Sequence, residues 1–395
     1  MTDLDVQWIA DPAGLLPLHA EWAALAEHLN ADIFMRPDWI EIWWRHFGQR
    51  SRLACLAARQ EGVLVGVLPF RVETLWVGPL PIRIARLAGT DPNTLVLQVP
   101  VAPDHLDSLL QAAFRHLTRN LGAVAVSFSP LSAEASHGPA LRRIAGPDCP
   151  VVEQAAGVHV MFDLPASFED YLAGLSKKRQ GEFRRMVRNL TQAMDMVGDS
   201  YAPTPAEFQH FIDLHGEQWH AVGKGGHFSD WPGTAGFYKD ICANPDSRQM
   251  VAMDRLKGTP GDIAIEFSLV AGKTSHWRLP ARKLDAEVDR LGAGKVVFLL
   301  MFKRMIEQGF TRVEAGRGIY PYKIDYGGRY ADVWRMILLR PGRLAALRLR
   351  LLLAWSDLLN LAYYRIWFLK LAPRLHARTG LKSRPLWRSW IRTRL

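Results

Sequence analysis

The chain has 395 residues, 49% of them hydrophobic, which is enough for two domains with sizeable cores. Its net charge of +10 is uneven: residues 341–395 hold 12 Lys and Arg against one acid, Asp357, so this tail carries +11 and the other 340 residues sum to −1. That excludes a body that coats nucleic acid and leaves a basic tail suited to an anionic surface. Three scattered cysteines (Cys55, Cys149, Cys242) make no C-x-x-C pair, no disulfide framework and no zinc-ligand spacing. With an N-terminus that shows no signal-peptide h-region, they point to a reducing, cytoplasmic setting and to no metal.

In chain order, Val6–Ala10 reads as a strand and Ala13–Leu29 as a helix. Pro37–Phe47 reads as an aromatic-rich helix whose tryptophans suit a core. Leu53–Arg59 and Val63–Val72 form a hairpin pattern, followed by turns at Gly78–Pro81 and Gly89–Asn93. Asp104–Asn120 predicts a helix closed by Gly122, and Ala123–Phe128 a strand. Pro130–Pro150 reads as a boundary.

The second half opens with a strand at Val158–Leu164 and a capped helix start at Ser167 and Asp170. A basic stretch, Lys177–Leu190, follows. Thr204, Pro205 and Glu207 supply cap, N1 proline and N3 acid for a helix to about His220. Arg248–Asp254, Asp262–Val270 and Thr274–Pro280 read as strands. The order of elements repeats that of the first half, so the two halves read as a structural duplication.

The chain is organised around Asp289–Lys323. Gly292 and Gly294 make a turn before an apolar helix ending at Gly309; Phe310–Ala315 is a strand, and a Gly-rich, Tyr-Lys segment follows. A glycine turn at a helix start offers N–H groups and the positive dipole end to a phosphate, with Lys295 beside it. An ordinary tight turn before a core helix has the same pattern. Only the second half has both this turn and the Tyr-Lys segment. Glu314, at a strand end before a glycine loop, is a candidate general base, and Glu266 and His276 on the preceding strands are alternatives. No serine has a G-x-S-x-G setting.

The basic 177–188 stretch, Ile263–Val270, Ser275–Pro280, Leu291-Gly-Ala-Gly-Lys295 and Glu314-Ala-Gly-Arg-Gly-Ile-Tyr-Pro-Tyr-Lys323 carry a resemblance to the CelD/BcsL-type acyltransferases. These belong to the FemAB-like branch of the GNAT (acyl-CoA N-acyltransferase) superfamily. Two positions depart from the pattern: Asp289 stands where Gln or Arg is usual, and Glu314 where Asp is usual. The resemblance covers about residues 1–340. It implies an α/β fold of two tandem GNAT-like units of mixed sheet flanked by helices. Residues 1–150 would be a degenerate first unit, 151–340 the catalytic one, and 341–395 a basic amphipathic helical tail. It also implies an acyl-CoA co-substrate, with the pyrophosphate on Gly292, Gly294 and Lys295. Lys323 would stabilise the oxyanion beside Glu314. Transfer to an amine or hydroxyl acceptor in exopolysaccharide (including cellulose) or cell-envelope biosynthesis follows from the same resemblance. The alternatives are aminoacyl-tRNA-dependent peptidyl transfer and a non-catalytic scaffold. The tail's interrupted apolar run suits an anionic inner-membrane surface or docking on the body, not a spanning helix.

Overall fold

The computed structural model describes residues 4–380 except 92, 222, 224, 225, 231, 232 and 260, with side chains at all but 229, 230, 364 and 368. The last part of the basic tail, 381–395, and its side chains at 364 and 368 thus lie outside what is described. In chain order the strands are β1 (Leu4–Ile9), β2 (Ser51–Gln60), β3 (Val63–Val77), β4 (Leu80–Leu87), β5 (Ala125–Ser127), β6 (Leu131–Ser132), β7 (Val151–Asp163), β8 (Val197–Tyr201), β9 (Val251–Gly258), β10 (Gly261–Ala271), β11 (Thr274–Arg282), β12 (Arg312–Arg317) and β13 (Arg329–Leu339). With the helices between them they make an α/β protein of mixed sheets, as the sequence implies.

The chain forms two compact units. Among the described residues, the first comprises residues up to Gly157 and Ala331–Leu369; the second comprises Val158–Tyr330 and residues 370–380. The boundary read at 340 differs from this division, because β13 pairs with β5 and β6 of the first unit. In the first unit the strand order is β1-β2-β3-β4-β5-β13. Its pairs are antiparallel except β4 with β5. In the second the order is β8-β9-β10-β11-β12-β7, antiparallel except β11 with β12. Each unit is therefore a four-strand antiparallel ladder, one parallel neighbour and one antiparallel closing strand.

The local chemistry explains the helices. Thr204 and Glu207 form the foreseen capping box: the Glu207 carboxylate accepts from the Thr204 N–H (2.8 Å), and the Thr204 hydroxyl accepts from the Glu207 N–H (3.3 Å). Helix Ala293–Glu307 is apolar on nearly every side. It buries Val296, Leu299, Met301, Phe302 and Met305 in the second unit's core, where Phe162 meets Phe302 edge-on at 4.7 Å.

The tail starts as an ordered helix, Arg343–Leu359. It lays Ala345, Leu349 and Leu352 on Ile82, Ile84, Val124 and Ile337 of the first unit. Each buried leucine contributes roughly 1.5–3 kcal/mol. Its other side carries Leu344, Leu347, Leu351 and Leu358, all exposed. Among the described residues no helix is long and apolar enough to cross a membrane.

Candidate active site

The site grows from one feature of the second unit. β11 and β12 pair in parallel over only three positions, the last being His276 with Glu314. Beyond it β11 continues toward Arg282 beside β10, while β12 turns to β7, where Arg317 faces His159. The two parallel strands part and leave a fork. Alternation along them then sorts the side chains. Trp277, Val313 and Ala315 join the core beneath helix Ala293–Glu307; His276 and Glu314 point the other way.

Glu314 is buried, and its Oε1 accepts from the Gly316 N–H at 2.9 Å and lies 3.2 Å from His159 Nδ1. Its Oε2 lies 3.8 Å from His276 Nδ1. Burial pushes this carboxyl up, but the His159 and His276 contacts outweigh it and hold the group well below the usual carboxylate range. Glu314 is thus an anchored anion that orients two imidazoles.

Lys323 lies on a short helix, Pro321–Asp325, whose N1 proline starts it. Its Nζ donates to the Ala315 carbonyl at 2.5 Å, and stands 4.1 Å from the Trp277 ring centroid and 4.3 Å from that of Tyr320. The ammonium therefore bridges the diverging strands just past the point where they part. Burial pushes Lys323 down to about 8, against the opposing pull of Glu314 and Glu266. Glu266, on β10, accepts from the Trp277 indole N–H at 2.6 Å. Burial raises it to about 8, with Asp254 adding to the rise and the indole and Lys323 opposing it. Glu266 is therefore a largely protonated carboxyl at neutral pH, beside a lysine near its own titration point.

The glycine turn divides into two roles. Gly292 has φ +78°, ends helix Ala286–Leu291 and precedes helix Ala293–Glu307. A Cβ there would stand 2.4 Å from the Met186 sulfur of helix Lys177–Met194, so Met186 would have to move, and the positive φ by itself already favours a glycine. At Gly294 a Cβ would meet nothing within 4 Å. First-turn N–H groups have no intrahelical acceptor, so those of Ala293 and Gly294 suit a phosphate. Lys295 is engaged by Glu182 at 2.7 Å, and the Asp289 carboxylate by Arg282 Nε at 2.7 Å, so the acid at the departing position is neutralised by its own unit. Beside this turn, Lys177, Lys178, Arg184, Arg185 and Arg188 are exposed and, among the described residues, have no carboxylate partner.

The structure brings Glu314 and His276 together and sets Lys323 with Glu266 through Trp277, while Gly292, Gly294 and Lys295 form a separate turn. His227 lies with His215: His215 donates through Nδ1 to the Pro280 carbonyl at 2.7 Å, and its Nε2 is 2.9 Å from His227 Nδ1. Sequence reasoning missed His159 and Trp277. A lone histidine inside the apolar strand Val158–Leu164 was the available signal for the first; the second had none. Among the described residues no metal-ligating cluster occurs.

Residues 176–324 match the family described as an acetyltransferase (GNAT) domain. Among solved structures, FemX is similar over 84% of this chain and 96% of its own, with a TM-score of 0.58 at 10% identity. A conserved protein of unknown function from Bacteroides thetaiotaomicron is similar over 85% and 100%, with 0.51 at 14%. The C-terminal domain of a putative lysylphosphatidylglycerol synthetase from Agrobacterium fabrum is similar over 88% and 97%, with 0.50 at 12%. At such identities the likeness is one of fold. No curated protein matches the chain by sequence.

Proposed function

We propose that the second unit, whose residues 176–324 match the acetyltransferase (GNAT) domain, transfers an acyl group, in the first instance acetyl, from acyl-CoA to an amine or hydroxyl at the β11/β12 fork. The observation that carries this reading is Lys323: one ammonium bonded to β12 and stacked on a β11 ring where the strands part. In this reading the pyrophosphate lies on the Ala293 and Gly294 N–H groups and the thioester carbonyl points at Lys323 Nζ. As the nucleophile attacks the thioester carbon, Lys323 offsets the charge growing on oxygen. The nucleophile's proton passes to His276, and the Glu314 carboxylate balances the resulting imidazolium. Collapse then expels the CoA thiolate. Glu266, protonated at neutral pH, keeps a second negative charge away from the thioester.

Calorimetry of the full chain with acetyl-CoA, a long-chain acyl-CoA and an aminoacyl-tRNA tests the donor. Saturable acyl-CoA binding supports the reading, and binding of the tRNA species alone replaces it with aminoacyl transfer. That second reading draws on the five exposed cations of helix Lys177–Met194, which suit RNA phosphates as well as those of CoA. Binding of neither donor favours a scaffold. An acceptor in exopolysaccharide or cell-envelope biosynthesis is the one the CelD/BcsL resemblance points to. The outer face of helix Arg343–Leu359, with exposed leucines beside Arg343 and Arg350, suits peripheral contact with an anionic inner-membrane leaflet from the cytoplasmic side.

A further inference from the structure

The first unit has a fork of its own. β4 and β5 pair in parallel over three positions ending at Arg86 with Ser127, and β5 then follows β13. A small cleft, open to solvent, lies where the strands part. Arg71 and Arg86, Thr90, Thr94 and His137 line it with apolar side chains that include Leu87, Val96 and Phe128.

Its charges are unusual for a protein interior. Arg71 on β3 and Arg86 on β4 are direct cross-strand partners, and both are at least nine-tenths buried. Like charges directly opposite across an antiparallel pair repel, and burying them adds a desolvation cost. One buried carboxylate, Glu73, answers both: it lies 3.2 Å from Arg86 Nε and 3.7 Å from Arg71 Nη1. The other nearby acids have other partners. Asp32 accepts from the Leu97 and Gln98 N–H groups, and Asp91 from the Asn93 N–H at 2.7 Å and the Thr94 hydroxyl at 2.9 Å. Burial pushes Arg86 down to about 10; Glu73 opposes the fall and Arg71 adds to it. Trp43 lies under the Arg71 guanidinium at 5.0 Å, leaving its edge for polar contacts. That edge is undersupplied: Nη2 reaches the Thr90 carbonyl only at 3.5 Å, and Nε has no hydrogen-bond partner. His137 Nδ1, also buried in the wall, has none either. Burial pushes His137 down to about 4, so its ring is neutral and can accept or donate without adding charge.

The geometry points to a second ligand site, in the first unit, for a small organic anion. A carboxylate or phosphate head would take the undersupplied guanidinium donors of Arg71, with the Arg86 charge beside it, and an apolar body would lie on Leu87, Val96 and Phe128. The site is independent of any chemistry in the second unit.

Thermal shift and calorimetry on the full chain, with acetate, hexanoate and inorganic phosphate against chloride at matched ionic strength, test it. Saturable one-to-one binding of at least one probe is expected. Hexanoate stronger than acetate would identify a carboxylate with an apolar body, and phosphate stronger than both a phosphate ester. Arg71→Gln should weaken binding at least about tenfold. No effect beyond chloride, or unchanged binding by folded Arg71→Gln, overturns the proposal. Should Arg71→Gln fail to fold, crystals of the wild-type chain soaked in selenate give the answer: an anomalous peak within hydrogen-bond reach of Arg71 and Arg86 supports the site, and an empty cleft overturns it.

Discussion

The two units lay down the same strand order and the same three-pair parallel contact, and then fill the fork differently. In the second unit the last pair is His276 with Glu314, and a lysine from a later helix bridges the gap. In the first, the last pair is Arg86 with Ser127, and a guanidinium pair lines an open cleft. The backbone therefore supplies the opening, and the side chains at and just beyond the last pair decide what it holds. The second fork has groups near their titration points, suited to moving protons. The first has permanent cations and a neutral histidine, suited to holding an anion.

The sharpest way to break this contrast is at Lys323. If its ammonium stabilises the oxyanion, Lys323→Met lowers kcat at least about a hundredfold per folded molecule, with acyl-CoA affinity nearly unchanged. A lysine that merely ties β11 to β12 loses stability instead, and activity falls only with the folded fraction. Glu314→Gln removes the anion that balances the His276 imidazolium. It lowers kcat by about 10²–10⁴-fold if proton transfer is fully lost, and near-normal turnover would remove Glu314 from the chemistry. Next in size is the donor turn. Because a Cβ at Gly294 meets nothing, Gly294→Val keeps the fold, and calorimetry should read acyl-CoA binding weaker by about tenfold or more. Gly292→Ala acts on the fold, losing about 1–3 kcal/mol to its positive φ and to Met186.

The smallest effects are in pH. With the ammonium required, kcat falls as pH rises through about 8; a rise there would make neutral Lys323 the base. For Glu266 the sign runs through stability. Folding raises its pKa from 4.5 to about 8, so between those values the folded chain holds a proton the unfolded chain has released. That contribution is fully present below 4.5 and is lost as pH climbs through about 8. Glu266→Gln has no such proton, so its melting temperature should gain on wild type across that window. A constant difference would mean that Glu266 is ionised in the fold.

Much of this was legible in the sequence where the signal is local. The Thr204–Glu207 capping box, the Gly292 turn, the apolar helix after it and the β2–β3 hairpin all appear as read. β4 was missed because Arg83 and Arg86 break its apolar run between two turn signals. β13 was missed because its partner β5 lies some two hundred residues earlier, beyond any window of periodicity. The site was legible as a set of residues and opaque as an arrangement. Nothing local tells that Glu314 is tied to His159 and His276, or that Trp277 connects Glu266 to Lys323, since each contact joins separate elements. Arg71 and Arg86 gave no sign of facing each other, because β4 itself was unseen.

The way β13 and helix Arg343–Leu359 complete the first unit has a consequence for synthesis. The residues that close its sheet and cover Ile82, Ile84 and Val124 leave the ribosome only after the whole segment Val158–Tyr330. A chain grows from its N-terminus, and domains otherwise tend to fold in that order. Here the inserted unit has all its strands first, while the earlier one waits with an unpaired β5 edge and an uncovered apolar face. That interval is when a nascent chain of this protein is most exposed to aggregation, and when a chaperone has an apolar surface to hold.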